Sequence, residues 1–139
     1  MTDKEKFEAF KRRAVKANEE QYGKEIREKY GRKAVEGSNG KFLSMTEEEH
    51  GQWKTLEEEI LSALAAAVRD REDPAGEEGR RIAELHRRWL SYTWTAYTPQ
   101  AHRGLAELYT ADERFTAYYD KEVPGCAAFL RQAVRAYTE

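Results

Sequence analysis

The sequence predicts an all-α protein, and three observations lead there. Apolar residues recur at three- and four-residue spacing along nearly the whole chain. No stretch alternates apolar and polar residues long enough to read as a strand. The three prolines, Pro74, Pro99 and Pro124, each lie where a helix could begin. A chain of 139 residues is one domain's worth and can bury a proper core.

Taken in order, the elements begin with Asp3 to about Gln21, where Phe7, Phe10, Ala14, Ala17 and Gln21 make an amphipathic face of modest strength. Tyr22, Ile26 and Tyr30 form a second stripe, punctuated by Gly23 and Gly31. Glu36–Ser44 (EGSNGKFLS) is rich in Gly, Ser and Asn and reads as a flexible connection. Residues 1–45 therefore form an N-terminal helical arm and linker with few large apolar anchors, expected to be the least stable part of the fold. Residues 46–139 form the body.

The body opens on Thr46 and Glu49, a capping-box pattern in which hydroxyl and carboxylate satisfy orphan backbone N–H groups. The helix that follows carries Trp53, Leu56, Ile60, Leu64, Ala67 and Val68 and is expected to stop near Glu72-Asp73. Asp73-Pro74 fits an N-cap followed by proline, opening a helix with Ile82, Leu85, His86, Trp89 and Thr93 on one face. Thr98-Pro99 repeats that signal ahead of His102, Leu105, Leu108 and Tyr109. Thr110 with Glu113 predicts a second capping box and a short helix through Phe115, Tyr118 and Tyr119. Pro124-Gly125 turns the chain into a last helix marked by Ala127, Leu130, Val134 and Tyr137.

Composition bounds the function. Charged residues are 36% and hydrophobic residues 40%, in keeping with a soluble protein. No apolar run approaches the ~20 residues that span a bilayer, and the start MTDKEKFEAF has no signal-peptide apolar region. The single cysteine, Cys126, rules out an internal disulfide and a thiolate metal cluster, so a reducing cytoplasm is the expected setting. The first 45 residues hold 12 Lys and Arg against 8 Asp and Glu, and the remainder holds 12 against 18. The arm's charges alternate in sign and the body is acidic, which argues against direct contact with nucleic acid.

From His86 to Tyr119 the chain concentrates two of its three histidines, two of its three tryptophans and five of its eight tyrosines. Such side chains bury much area at little entropy cost, and each Tyr or Trp keeps a polar tip that needs a partner. A lined cleft for an organic ligand explains the excess; a packed aromatic core explains it nearly as well. Chemistry is less visible. His50, His86 and His102 have no HExxH or HxxxH spacing, so a structural or ligand-facing histidine is a better reading than a metal ligand. Cys126 follows Pro-Gly at a helix start, where the dipole could lower its pKa and pair it with His86 or His102 as a nucleophile. A buried, inert thiol is the commoner outcome. The Asp112-Glu113 pair is accounted for by capping rather than by acid–base work.

The run HRGLAELYTADERFTAYYDKEVPGCAAFLRQAV, from His102 to Val134, resembles the C-terminal part of the TipAS antibiotic-recognition domain. That domain is the effector half of thiopeptide-responsive MerR-type transcription regulators. The resemblance rests on H-x-G-L-A-x-x-Y (His102–Tyr109), D-E-R-F-T (Asp112–Thr116) and G-x-A-x-[FY]-[LM]-R-x-A (Gly125–Ala133) together. LHRRWL (Leu85–Leu90) and YGKEIREKYG (Tyr22–Gly31) also match, so it covers nearly the whole chain. It implies a globin-like helical bundle without haem, a cleft for large hydrophobic multi-ring ligands, and an N-terminal arm that is mobile until ligand arrives.

Two departures accompany it. Nothing like the family's winged helix-turn-helix or dimerising coiled coil occurs before Phe7, which implies a stand-alone binding domain or an excised effector half. Thiopeptide-capturing members carry a cysteine in the motif H-x-C-L-x-x-x-Y, where this chain has Gly104, so covalent capture is not implied.

The expected ligand-binding residues are His86, Trp89, Tyr97, His102, Tyr109, Phe115 and Tyr119, with Tyr30 from the arm. Leu105, Leu108 and Phe115 are the readiest to be packing alone, whereas Tyr97, His102 and Tyr109 keep polar tips that a pocket could use. The expected function is non-enzymatic binding of a thiopeptide-like antibiotic, as a regulator's effector or as a sequestering protein, with no cofactor and no metal. The alternatives are a haem- or tetrapyrrole-binding globin-like protein, suggested by the implied fold and the histidines, and a thiol-dependent enzyme built on Cys126.

Overall fold

The computed structural model describes residues 2–139. Among them are seven α-helices and no strand: α1 (Asp3–Tyr30), α2 (Arg32–Leu43), α3 (Glu47–Arg69), α4 (Glu77–Ser91), α5 (Pro99–Ala111), α6 (Glu113–Asp120) and α7 (Cys126–Tyr137). The all-α expectation is borne out. The chain divides into two compact units, Met1–Trp53 with Ser91–Ala96, and Lys54–Leu90 with Tyr97–Glu139.

In the first unit, α1 starts on a capping box between Thr2 and Glu5 and runs unbroken through Gly23. A Cβ at Gly23 would lie 2.4 Å from the Glu19 carboxylate, so the glycine leaves room for the ion pair from Glu19 to Arg27. The helix ends at Gly31, whose φ of 87° only glycine adopts without strain. Glu36–Ser44 departs from the expected flexible connection: Arg32–Leu43 is helix. Tertiary anchors outweigh its weak helix propensity. Val35 is buried, Lys41 Nζ donates to the carbonyls of Ser91 and Trp94, and a Cβ on Gly37 would press on Thr95 at 2.9 Å.

Lys11 is the tightest fastening of α1. Its side chain is 1% exposed, and Nζ donates to the carbonyls of Leu43 (2.6 Å) and Met45 (2.7 Å) where α2 ends. Glu8 supplies the counter-charge at 3.0 Å. Beside it Phe7, Phe10, Phe42 and Trp53 surround the His50 ring, each with ring centroids 5.5–6.1 Å away.

The second unit takes its core from Leu56, Ile60, Leu64, Ile82, Leu90, Leu130 and Val134, all buried. The Thr46–Glu49 capping box forms as expected, with both reciprocal hydrogen bonds present. The helix it opens, α3, stops at Arg69, earlier than Glu72-Asp73. Arg71 takes φ 55° and the Glu72 N–H returns to the Ala67 carbonyl, a left-handed termination that sequence periodicity does not announce.

Asp73-Pro74 does not launch α4. Asp73 caps a tight turn, accepting from the Ala75 N–H, and α4 begins at Glu77. The turn folds so closely over α4 that a Cβ on Gly79 would lie 1.8 Å from the Pro74 carbonyl oxygen. Thr98-Pro99 does open α5, with Thr98 accepting from the Ala101 N–H. At α6 the cap is Asp112, which accepts from Arg114, not Thr110, which lies within α5. Asp120 reaches forward to cap α7 at the Ala127 N–H, and Glu107 ties α5 to α7 through Arg131 (2.7 Å) and Arg135 (2.6 Å).

Candidate functional site

The second unit gathers seven of the eight expected ligand residues into one connected aromatic cluster. Helix α4 presents His86 and Trp89 on one face, ring centroids 5.6 Å apart, as their three-residue spacing requires. Helix α5 sets His102 against His86, rings nearly parallel at 10° and 5.0 Å between centroids. Tyr97, in the turn before α5, meets His102 edge-on at 5.3 Å. Tyr109 lies edge-on to His86 at 5.6 Å and continues to Phe115 (5.4 Å) and Tyr119 (4.6 Å) on α6. Tyr30 is not part of this cluster; it belongs to the first unit, at the end of α1, and is 40% exposed.

Through the cluster runs a chain of hydrogen bonds. Tyr97 Oη lies 2.8 Å from His102 Nδ1, His102 Nε2 lies 2.8 Å from His86 Nδ1, and His86 Nε2 lies 3.0 Å from Tyr109 Oη. All four ring nitrogens are thus engaged. Both imidazoles are 0% exposed, and burial holds them uncharged. Burial first and the neighbouring His102 second push His86 down to about 3. Burial and the Arg87 guanidinium push His102 down to about 4. Tyr119 packs its ring on Tyr109, and burial lifts its hydroxyl to about 12.

The two ends of the chain differ. Tyr109 is 2% exposed, whereas Tyr97 is only half-buried. The Arg87 guanidinium lies over the Tyr97 ring, 4.1 Å from its centroid, and also donates to the Tyr137 hydroxyl. Tyr137 in turn faces His102 edge-on at 6.2 Å. Neither Arg87 nor Tyr137 was among the expected residues. Arg87 is hidden in the charged run HRR, and Tyr137 reads as the end of an apolar stripe. Glu57 on α3 was also unforeseen: it accepts from the Tyr118 hydroxyl next to Tyr119.

Cys126 takes the inert outcome that the sequence favours, and the helix dipole does not lower its pKa. The thiol is buried at the start of α7, and burial, aided by the Asp120 and Glu122 carboxylates, raises its pKa. It is not an activated nucleophile. Among the described residues no group of three or more His, Cys, Asp and Glu is placed to hold a metal ion, and none of their helices is long and apolar enough to cross a membrane. With every nitrogen of His86 and His102 engaged within the cluster, neither ring offers a ligand to haem iron without breaking the chain.

Fold and site together define an all-helical domain with an aromatic cluster around an uncharged polar interior. Residues 22–137 match the TipAS antibiotic-recognition domain, and the chain belongs to that family. It is 34% identical to the HTH-type transcriptional activator TipA of Streptomyces coelicolor over 98% of its own length and 53% of that protein's. It is 26% identical to the HTH-type transcriptional activator mta of Bacillus subtilis, over 100% of its length and again 53% of the relative's. The chain thus spans about half the length of these curated relatives. Among solved structures it resembles TipAS from a thiopeptide antibiotic multidrug resistance system of Streptomyces lividans, in complex with nosiheptide. The TM-score is 0.74 at 30% identity, covering 86% of this chain and 85% of the other.

Proposed function

We propose that this chain is an antibiotic-binding effector domain for large, hydrophobic, multi-ring ligands of the thiopeptide kind. The observation that carries this reading is the continuous cluster from Trp89 through His86 and Tyr109 to Tyr119, set in a chain of this family. Flat rings supply contact area at low entropy cost, and a few polar tips fix orientation. The chain serves either as the sensing half of a transcription regulator, whose DNA-binding half lies outside it, or as a sequestering protein. A cytoplasmic setting and a non-enzymatic role go with the reading; the buried, unactivated Cys126 favours it over thiol chemistry.

The reading assigns Trp89, His86, Tyr97, His102, Tyr109, Phe115 and Tyr119 to the ligand or to its immediate support. The arm, residues 1–45, has a further role in it: ligand binding orders it, and Tyr30 adds a contact. Ordering costs about 1–2 kcal/mol per residue, and α1 buries only Lys11 and Gly23. Bound ligand should therefore slow amide exchange in residues 5–30.

A thermal-shift and tryptophan-fluorescence titration with nosiheptide tests the function. A saturable rise in melting temperature is expected. Stabilisation by nucleotides or sugars alone, with none by thiopeptides, would overturn it.

A further inference from the structure

The hydrogen-bond chain through His86 and His102 has only two ways to place its hydrogens. A neutral imidazole carries one N–H and one lone-pair nitrogen. The bond between His86 Nδ1 and His102 Nε2, at 2.8 Å, takes a hydrogen from one ring and a lone pair from the other. The tautomer of one ring therefore dictates that of its neighbour. If both carry hydrogen on Nε2, Tyr97 donates to His102 Nδ1, His102 donates to His86, and His86 donates to Tyr109. If both carry it on Nδ1, every arrow reverses. Tyr109 then donates to His86, His86 to His102, and His102 to the Tyr97 oxygen.

Each arrangement holds the same four hydrogens and no charge, so no proton is gained or lost between them. At the buried end the Tyr109 hydroxyl, which can either accept or donate, meets His86 Nε2 in both arrangements. They differ at the half-buried end. In the first, the Tyr97 O–H is committed to His102 and its oxygen keeps lone pairs with which to accept from another group. In the second, the Tyr97 oxygen accepts from His102 and its O–H turns away from the chain.

We propose that Tyr97, His102, His86 and Tyr109 form a concerted tautomeric switch that lets the Tyr97 hydroxyl act either as acceptor or as donor toward a ligand. Resting on the antibiotic-binding reading, it extends that reading to polar chemistry. One hydroxyl can meet an amide N–H on one ligand and a carbonyl oxygen or heteroaromatic nitrogen on another. The protein changes no rotamer of the buried rings to do so. Tyr97 is thereby a specificity-determining residue, His86 and His102 are positioning residues, and Tyr109 anchors the far end.

The test is nitrogen-15 and carbon-13 NMR of the imidazole rings in the full chain at neutral pH. In the wild type both rings should be neutral and in the same tautomer. In Tyr97→Phe both should carry hydrogen on Nε2, because a buried N–H with no acceptor costs more than a bare lone pair. In Tyr109→Phe both should carry it on Nδ1 for the same reason. Each ring should therefore differ between the two variants, including the ring that has lost no contact of its own. Unlike tautomers within any one protein, or identical tautomers in the two variants, would overturn the switch. Should Tyr109→Phe fail to fold, the wild-type pairing alone decides, because unlike rings suffice to refute it.

Nosiheptide titration tests the ligand-facing half, with Tyr97→Phe weakening binding about 5–10-fold. Unchanged affinity would refute the role of Tyr97 as a contact. No binding by the wild type, with the rings still paired, would refute the functional reading and the ligand role together while leaving the tautomer coupling measured.

Discussion

His86 Nδ1 and His102 Nε2 meet at 2.8 Å between two fully buried rings, and the burial of this pair makes the fold sensitive to acid. An imidazole in the unfolded chain titrates near 6.5, whereas burial pushes these two down to about 3 and about 4. Below pH 6.5 the unfolded chain binds protons that the folded one refuses. The stability the pair contributes is therefore complete above pH 6.5 and falls as pH drops toward 4. The limit is about 1.4 kcal/mol per pH unit for each histidine. Urea melts between pH 7 and pH 5 should show this slope, and His102→Gln should roughly halve it, leaving the His86 share. The depressed carboxylates of Glu78 and Glu107, paired with arginines, act only nearer pH 4. A wild-type curve that is level from pH 7 to pH 5 would contradict the burial of two neutral rings.

Lys11→Met should loosen α1. The methionine keeps most of the apolar stem, but the carbonyls of Leu43 and Met45 lose a charged donor. A cost of about 2–3 kcal/mol is expected from two charge-assisted bonds. Amide exchange in residues 5–20 should accelerate more than in α7. Unaltered exchange in α1 would mean that the ring cluster around His50 holds the helix by itself.

Much of this architecture is legible in the sequence, and the failures have physical causes. Helical spacing gives every helix of the second unit, and Thr98-Pro99 marks the start of α5 because its cap is local. The segment from Glu36 to Ser44 misleads because its helix is held by Lys41 reaching distant carbonyls and by the burial of Val35 just before it. Asp73-Pro74 misleads because the same residues that cap a helix also cap a turn, and the choice is made by close packing on Gly79. The aromatic cluster is visible as a local excess of rings. The pairing of His86 with His102 is not, since sixteen residues separate them and only the approach of α4 to α5 joins them. Arg87 looks like one more solvated charge until its guanidinium is seen over Tyr97.

Gly104→Ala should stabilise the chain. Gly104 lies in the middle of α5, is exposed, and a Cβ there meets nothing within 4 Å. Alanine at such a site gains about 0.5–1 kcal/mol from reduced unfolded-state freedom. For a domain of this size that is a rise of about 2–4 °C in melting temperature. A fall would show that α5 needs the backbone bare at this position.

Removal of residues 1–45 should leave a folded helical body. Every residue of the second unit is retained, including Leu64, Ile82, Leu130 and Val134, and the Thr46–Glu49 box still caps α3. What is lost is Phe7, Phe10 and Phe42 around His50 and Trp53, together with the Lys11 fastening. The first two turns of α3 then fray, because they keep their cap but not their packing. Circular dichroism of residues 46–139 should show a cooperative helical melt at a lower temperature than the full chain. The buried histidine pair gives a second readout within the same truncated chain, since His86, His102, Tyr97 and Tyr109 are all retained. Their ring signals should stay neutral at pH 6, half a unit below the unfolded value. A broad, non-cooperative melt with the histidines titrating near 6.5 would show that the second unit does not hold its core without the arm.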